Sequence, residues 1–91
     1  MTTGAEIRIR GMVQGIGYRY FCYTHATTLG LVGWVKNEPG GSVVAVVEGD
    51  RSSIEALIKE LKVGPSHAAV SAVDIRWLPY TGKYQSFQIA H

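Results

Sequence analysis

The spacing of apolar residues switches repeatedly between a period of two and one near 3.6 along the 91-residue chain. This succession constrains the fold most, because a repeat of two buries one face only as a strand and a repeat near 3.6 only as a helix. Ile7, Ile9 and Gly11 alternate with Arg8, Arg10 and Met12, a strand with one buried and one wet face. The alternation breaks at Val13–Arg19, where Gly15 and Gly17 permit backbone angles closed to other residues, and this stretch reads as a loop. Tyr18, Phe21, Cys22, Ala26 and Leu29 then fall at helical spacing, with Gly30 at the C-terminal stop. Residues 31–37 read as a second strand, Glu38–Gly41 as a turn and residues 42–48 as a third strand. The near-continuous apolar run of the third suits a central strand, since an exposed edge of that kind invites aggregation. Asp50 is placed to cap a helix carrying Ile54, Leu57, Ile58 and Leu61 on one face, and Gly64-Pro65 ends it. Val73, Ile75 and Trp77 alternate with Asp74 and Arg76 as a fourth strand. After a turn at Thr81-Gly82-Lys83, Phe87 and Ile89 form a short last one.

The order β-α-β-β-α-β plus a short extra strand predicts the α+β class. The expected architecture is a ferredoxin-like split βαβ sandwich, an antiparallel sheet with two helices on one face. Residues 1–91 are expected to form a single domain. In this topology strands one and two flank strand three and end at the same edge of the sheet, so the loop at 14–19 and Asn37 should lie close together.

Nine Lys plus Arg against seven Asp plus Glu give a net charge of +2, too small a surplus to suggest nucleic-acid binding but suited to a small anion. A single cysteine, Cys22, can supply neither an internal disulfide nor a thiolate metal site, so the core must hold the fold. No apolar run approaches the ~18 residues of a membrane span, and the N-terminus lacks the regions of a signal peptide, which predicts a cytoplasmic protein without membrane attachment.

A loop running from a strand into a helix presents consecutive backbone N–H groups, and the helix start adds partial positive charge. Arg19 adds a planar, always-charged fork matched to two phosphate oxygens. Walker and Rossmann spacings both fail here: the position after Gly11 where a Walker loop needs glycine is Ile16, followed by Gly17 and Tyr18.

The run Gly11–Arg19, with Phe21 following, and then Leu29–Asn37 closely resemble the two signature stretches of the acylphosphatase family. The similarity continues through Gly41-Ser42-Val43, Glu48-Gly49, Leu61, Gly64-Pro65, Ala69-Val70 and Phe87-Gln88-Ile89 and so covers nearly the whole chain. The departures are Ile16 and Tyr18 in place of the usual Val and Phe, and Gly40 where an aspartate is common. The resemblance implies hydrolysis of acyl phosphates to a carboxylate and inorganic phosphate, with Arg19 binding the phosphate and Asn37 orienting the attacking water. The expected phosphate cradle is the backbone of Gln14, Gly15, Ile16, Gly17, Tyr18 and Arg19. Elementary chemistry agrees: a carboxylate leaves readily without a proton and the phosphate dianion can accept one from water. The site therefore needs donors rather than a general acid, a metal or a cofactor. The expected partners are an acyl phosphate, with inorganic phosphate as product and competitive inhibitor, and the expected state is a monomer.

Other residues have ordinary explanations. His25 reads as a packed side chain, Cys22 as a small apolar filler, Trp34 and Trp77 as packing aromatics, and Arg8 and Arg10 as solvated charges. Two competing functions share the fold order. An RNA-binding module needs aromatic residues on the open faces of strands one and three, which read Ile7-Arg8-Ile9-Arg10 and Val43–Val47 and carry none. An acylphosphatase-like module that binds carbamoyl phosphate within a larger enzyme is the closer alternative, and the end of the chain at residue 91 favours the free-standing hydrolase. No segment reads as a shaped pocket for the acyl group.

Overall fold

The computed structural model describes all 91 residues, Met1–His91. The elements follow in the order β1 (Thr2–Met12), α1 (Tyr18–Thr28), β2 (Val32–Asn37), β3 (Val43–Asp50), α2 (Arg51–Val63), β4 (Ala69–Leu78) and β5 (Phe87–Ile89). The strands form one sheet in the order β4-β1-β3-β2-β5, with the apolar β3 at the centre.

β1 pairs antiparallel with both β3 and β4, and β2 pairs antiparallel with β3. The expected antiparallel arrangement therefore holds for four strands. β5 instead joins the outer edge of β2 in parallel, with Gly33 opposite Phe87 and Val35 opposite Ile89, so the sheet is mixed. The cause is directional: β1 and β2 run the same way, β4 runs against them, and a chain that reverses after β4 must emerge parallel to β2.

Two strands are longer than their periodicity indicates. β1 starts at Thr2 because its first residues pair with β3, Thr2 opposite Asp50. β4 starts at Ala69 because residues 69 and 70 pair with Met12 and Gly11 across a register shift between Arg10 and Gly11. Small residues such as Ala69, Ser71 and Ala72 carry no strand signal by themselves, and ladder pairing overrides that local indifference.

Ala5, Ile7 and Ile9 of β1, Val35 of β2, Val43, Ala45 and Val47 of β3 and Phe87 of β5 face one side. There they meet Tyr18, Cys22 and Ala26 of α1 and Ile54, Leu57, Ile58 and Leu61 of α2 in one buried cluster. Burial pushes the Cys22 thiol up to about 12, which keeps it protonated and inert, in line with a filler role. α1 ends in a Schellman motif: the Leu31 N–H donates to Ala26 O at 2.9 Å and the Gly30 N–H to Thr27 O at 3.0 Å. At the start of α2, Asp50 holds the N-cap position without a side-chain capping bond. Its carboxylate instead receives the N-terminal ammonium at 2.9 Å and the Ser52 hydroxyl. No helix is long and apolar enough to cross a membrane.

Candidate active site

The C-terminal ends of β1 and β2 lie at one edge of the sheet and bring the glycine loop and Asn37 to a shared cavity of about 260 Å³. Gly15, Gly17, Tyr18, Arg19 and Asn37 all line it, whereas Gln14 and Ile16 are not among its walls. The loop curls because Gly15 and Gly17 take φ of 78° and 79°, the left-handed region that other residues enter only under strain. Gly17 is also the N-cap of α1. From Gln14 to Tyr20 no backbone N–H donates to a protein acceptor, and the first amide bonded within the helix is that of Phe21, to Gly17 O at 3.0 Å. A run of unengaged donors at a helix start is chemically suited to an anion.

Tyr18 anchors this helix start. Its ring is buried, and its hydroxyl donates to Leu61 O at 2.6 Å, which ties the loop to the last turn of α2. Burial, with the Cys22 thiol a lesser contributor, raises the Tyr18 phenol well above its ordinary range.

Arg19 Nη1 donates to Ala90 O at 3.3 Å and lies 3.2 Å from His91 Nδ1. A guanidinium can only donate, so His91 Nδ1 is the acceptor of that pair. Arg19 Nε and Nη2 give no hydrogen bond to the protein, which leaves donors of the fork free for an incoming anion. The Asn37 carboxamide likewise has no protein partner and opens on the same cavity.

Asn37 is held from behind. Its neighbour Glu38 receives Arg8 Nε at 2.7 Å and Nη2 at 3.0 Å, and Ser42 Oγ donates to Glu38 Oε1 at 2.8 Å. The Arg8 guanidinium, and after it the Ser42 hydroxyl, draw the Glu38 carboxyl down to about 2. Gln14 Nε2 donates to the carbonyls of Glu38 and Ser42 at 2.8 Å each. The Gln14 side chain thus joins the glycine loop to the 38–42 turn. Arg8, read from sequence as a solvated charge, is part of this brace.

Four lining residues escaped the sequence reading of the site: Val13, Tyr20, Ile89 and His91. Tyr20 could have been found as the aromatic in the first turn of α1 that lies off its core-facing stripe. Ile89 and His91 had no local signal, because only the parallel pairing of β5 with β2 carries them to the cavity. His25 lies elsewhere, against the Phe21 ring at 4.4 Å between centroids and with Nδ1 3.6 Å from Glu60. No group of three or more His, Cys, Asp or Glu is placed to hold a metal ion.

The family model of acylphosphatases matches residues 5–89. The chain is similar to an acylphosphatase of Methanothrix thermoacetophila, 45% identical over 91 residues and the full length of both chains. It is similar in structure to an acylphosphatase from Bacillus subtilis, with a TM-score of 0.94, 28% identity and complete coverage of both chains. It also resembles full-length HypF, solved in a phosphate- and nucleotide-bound form, with a TM-score of 0.91 and 33% identity, covering 100% of this chain and 12% of that one. Similarity that runs from the first strand to the last, in sequence and in backbone alike, makes this chain a member of the acylphosphatase family.

Proposed function

We propose that this protein hydrolyses acyl phosphates to a carboxylate and inorganic phosphate. The backbone N–H groups from Gln14 to Arg19 and the Arg19 fork hold the phosphoryl group, and Asn37 holds the attacking water. One observation carries the reading: the residues Gly15, Gly17, Tyr18 and Arg19, whose amides are unengaged, the free donors of Arg19 and the unpartnered carboxamide of Asn37 line one cavity. Water attacks phosphorus in line, the new oxygen–phosphorus bond forms, and the bond to the acyl oxygen breaks with its electron pair leaving as carboxylate. The proton of the water passes to a phosphoryl oxygen. As charge moves onto the equatorial oxygens, the amides and Arg19 stabilise it with little reorganisation. Nothing in this sequence of events calls for a metal, a cofactor or a covalent intermediate.

The outer faces of β1 and β3 carry Glu6, Arg8, Arg10, Val44 and Val46 in place of stacking aromatics, which supports a reading without nucleic acid. The protein is read as acting in the cytoplasm as a monomer on a small substrate. A module that takes carbamoyl phosphate for a larger enzyme would share the phosphate cradle and differ in the acyl group it receives.

The test is the absorbance of benzoyl phosphate over time with the purified protein. The expected result is a decay that survives a chelator and is inhibited competitively by orthophosphate. A stable absorbance at micromolar enzyme would overturn the reading, and turnover of carbamoyl phosphate alone would favour the module.

A further inference from the structure

Resting on the function proposed above, we infer that Tyr20, with Ile89 of the same cavity, is the docking surface for the acyl group and selects aromatic and branched apolar acyl phosphates. Three observations lead there. First, the walls of the cavity extend beyond the glycine loop, Arg19 and Asn37 to Tyr20, Ile89 and His91. Second, the surface available to the rest of the substrate is narrow in kind. Of the apolar side chains in the walls, Val13 and Tyr18 are each 1% exposed and can offer little contact. Tyr20 is 66% exposed and Ile89 is half-buried. Arg19 is the only residue of the lining with a permanently charged side chain, and no carboxylate or ammonium side chain is present. A charged acyl group would lack a partner on the Tyr20 and Ile89 side chains, and an apolar one would cover Tyr20 surface now left in water.

Third, the Tyr20 ring is held in place before any ligand arrives. It stacks on Tyr23 at 6.2 Å between centroids and 23° between planes, and Tyr23 tilts against Phe87, a core residue of β5. An exposed aromatic fixed in this way loses little freedom when it packs on an acyl group, which is the condition for selectivity by contact.

The experiment compares kcat/KM for benzoyl phosphate and acetyl phosphate in the wild type, Tyr20→Ala and Tyr20→Phe, with orthophosphate inhibition measured in each. The wild type should prefer benzoyl phosphate. Tyr20→Ala should cut that preference about three- to tenfold, the scale of one aromatic contact, through KM for benzoyl phosphate, while orthophosphate inhibits as in the wild type. Tyr20→Phe should keep the preference. An unchanged benzoyl-to-acetyl ratio in Tyr20→Ala would overturn the inference. So would an equal rise in both KM values together with weaker orthophosphate inhibition, which would mean that Tyr20 supports the phosphate cradle. If the wild type turns over neither substrate, the functional reading falls and this inference with it.

Discussion

In the proposed mechanism Arg19 holds phosphate and Asn37 holds water, and their substitutions should separate accordingly. Losing a preorganised donor costs about a hundred- to a thousandfold in rate, so Arg19→Gln and Asn37→Ala should each lose that much kcat on benzoyl phosphate. Arg19→Gln should also weaken orthophosphate inhibition, and Asn37→Ala should leave it intact. Near-normal turnover in either variant would contradict the assignment. Glu38 acts one step back. It follows Asn37 directly and is clamped by Arg8 and Ser42, a brace that stiffens the turn containing Gly40. A misplacement of about 1 Å can cost on the order of a hundredfold; a slackened Asn37 should lose about tenfold. Steady-state kinetics of Glu38→Gln should therefore show a lower kcat with unaltered orthophosphate inhibition, and Arg8→Met should reproduce it. At this scale the placing of Arg19 and Asn37 at one cavity was legible in the sequence. The role of Glu38 was not, because its partner lies 30 residues earlier and no spacing rule joins them.

The start of α1 depends on a contact with α2. Tyr18, standing where the family usually has phenylalanine, adds a buried hydroxyl that satisfies a carbonyl in the last turn of α2. Tyr18→Phe strands that carbonyl, an expected loss of about 1–2 kcal/mol. For a domain of this size that corresponds to a fall in melting temperature of about 4–8 °C per kcal/mol, readable by calorimetry. The opposite case is Gly33, where an added Cβ would overlap the Val46 carbonyl oxygen of the neighbouring strand. Gly33→Ala must push β2 from β3 and should cost about 3 kcal/mol or more in urea unfolding. Gly15→Ala meets nothing within 4 Å and should cost about 1–2 kcal/mol through its left-handed backbone alone. Equal losses at the two sites would refute the steric argument. The helices and the central strands were legible as elements from their periodicity. The early start of β1, the extension of β4 and the direction of β5 were not, since each is set by a partner strand.

Across the whole molecule, two carboxylates link distant segments and make stability depend on acid. Arg8 and Ser42 hold Glu38 near 2. Glu48, 3% exposed, is pushed up by burial, but donation from the Thr81 hydroxyl and the Gly82 and Thr81 amides outweighs this and leaves it below its ordinary value. Those donors lie 2.7–3.0 Å away and tie β3 to the segment leading into β5. In both cases the folded value lies below the unfolded one near 4.3, so the stabilisation is complete above that value and is lost as pH falls, for Glu38 between about 4.5 and about 2. Urea midpoints should drop through this range in the wild type and vary less in Glu38→Gln and Glu48→Gln. A wild-type midpoint independent of pH below 4.5 would count against both. The sequence by itself determined the kinds of element, their order, the inward faces of the helices and the meeting of the glycine loop with Asn37. Those follow from local periodicity and from the topology that short connections allow. Only the tertiary structure decided the parallel entry of β5, the hold of Ala90 and His91 on Arg19, the clamp of Arg8 on Glu38 and the open ring of Tyr20 at the cavity. These are meetings of residues far apart in the chain, whose free energy is realised only once the sheet has set their distance, so no local pattern records them.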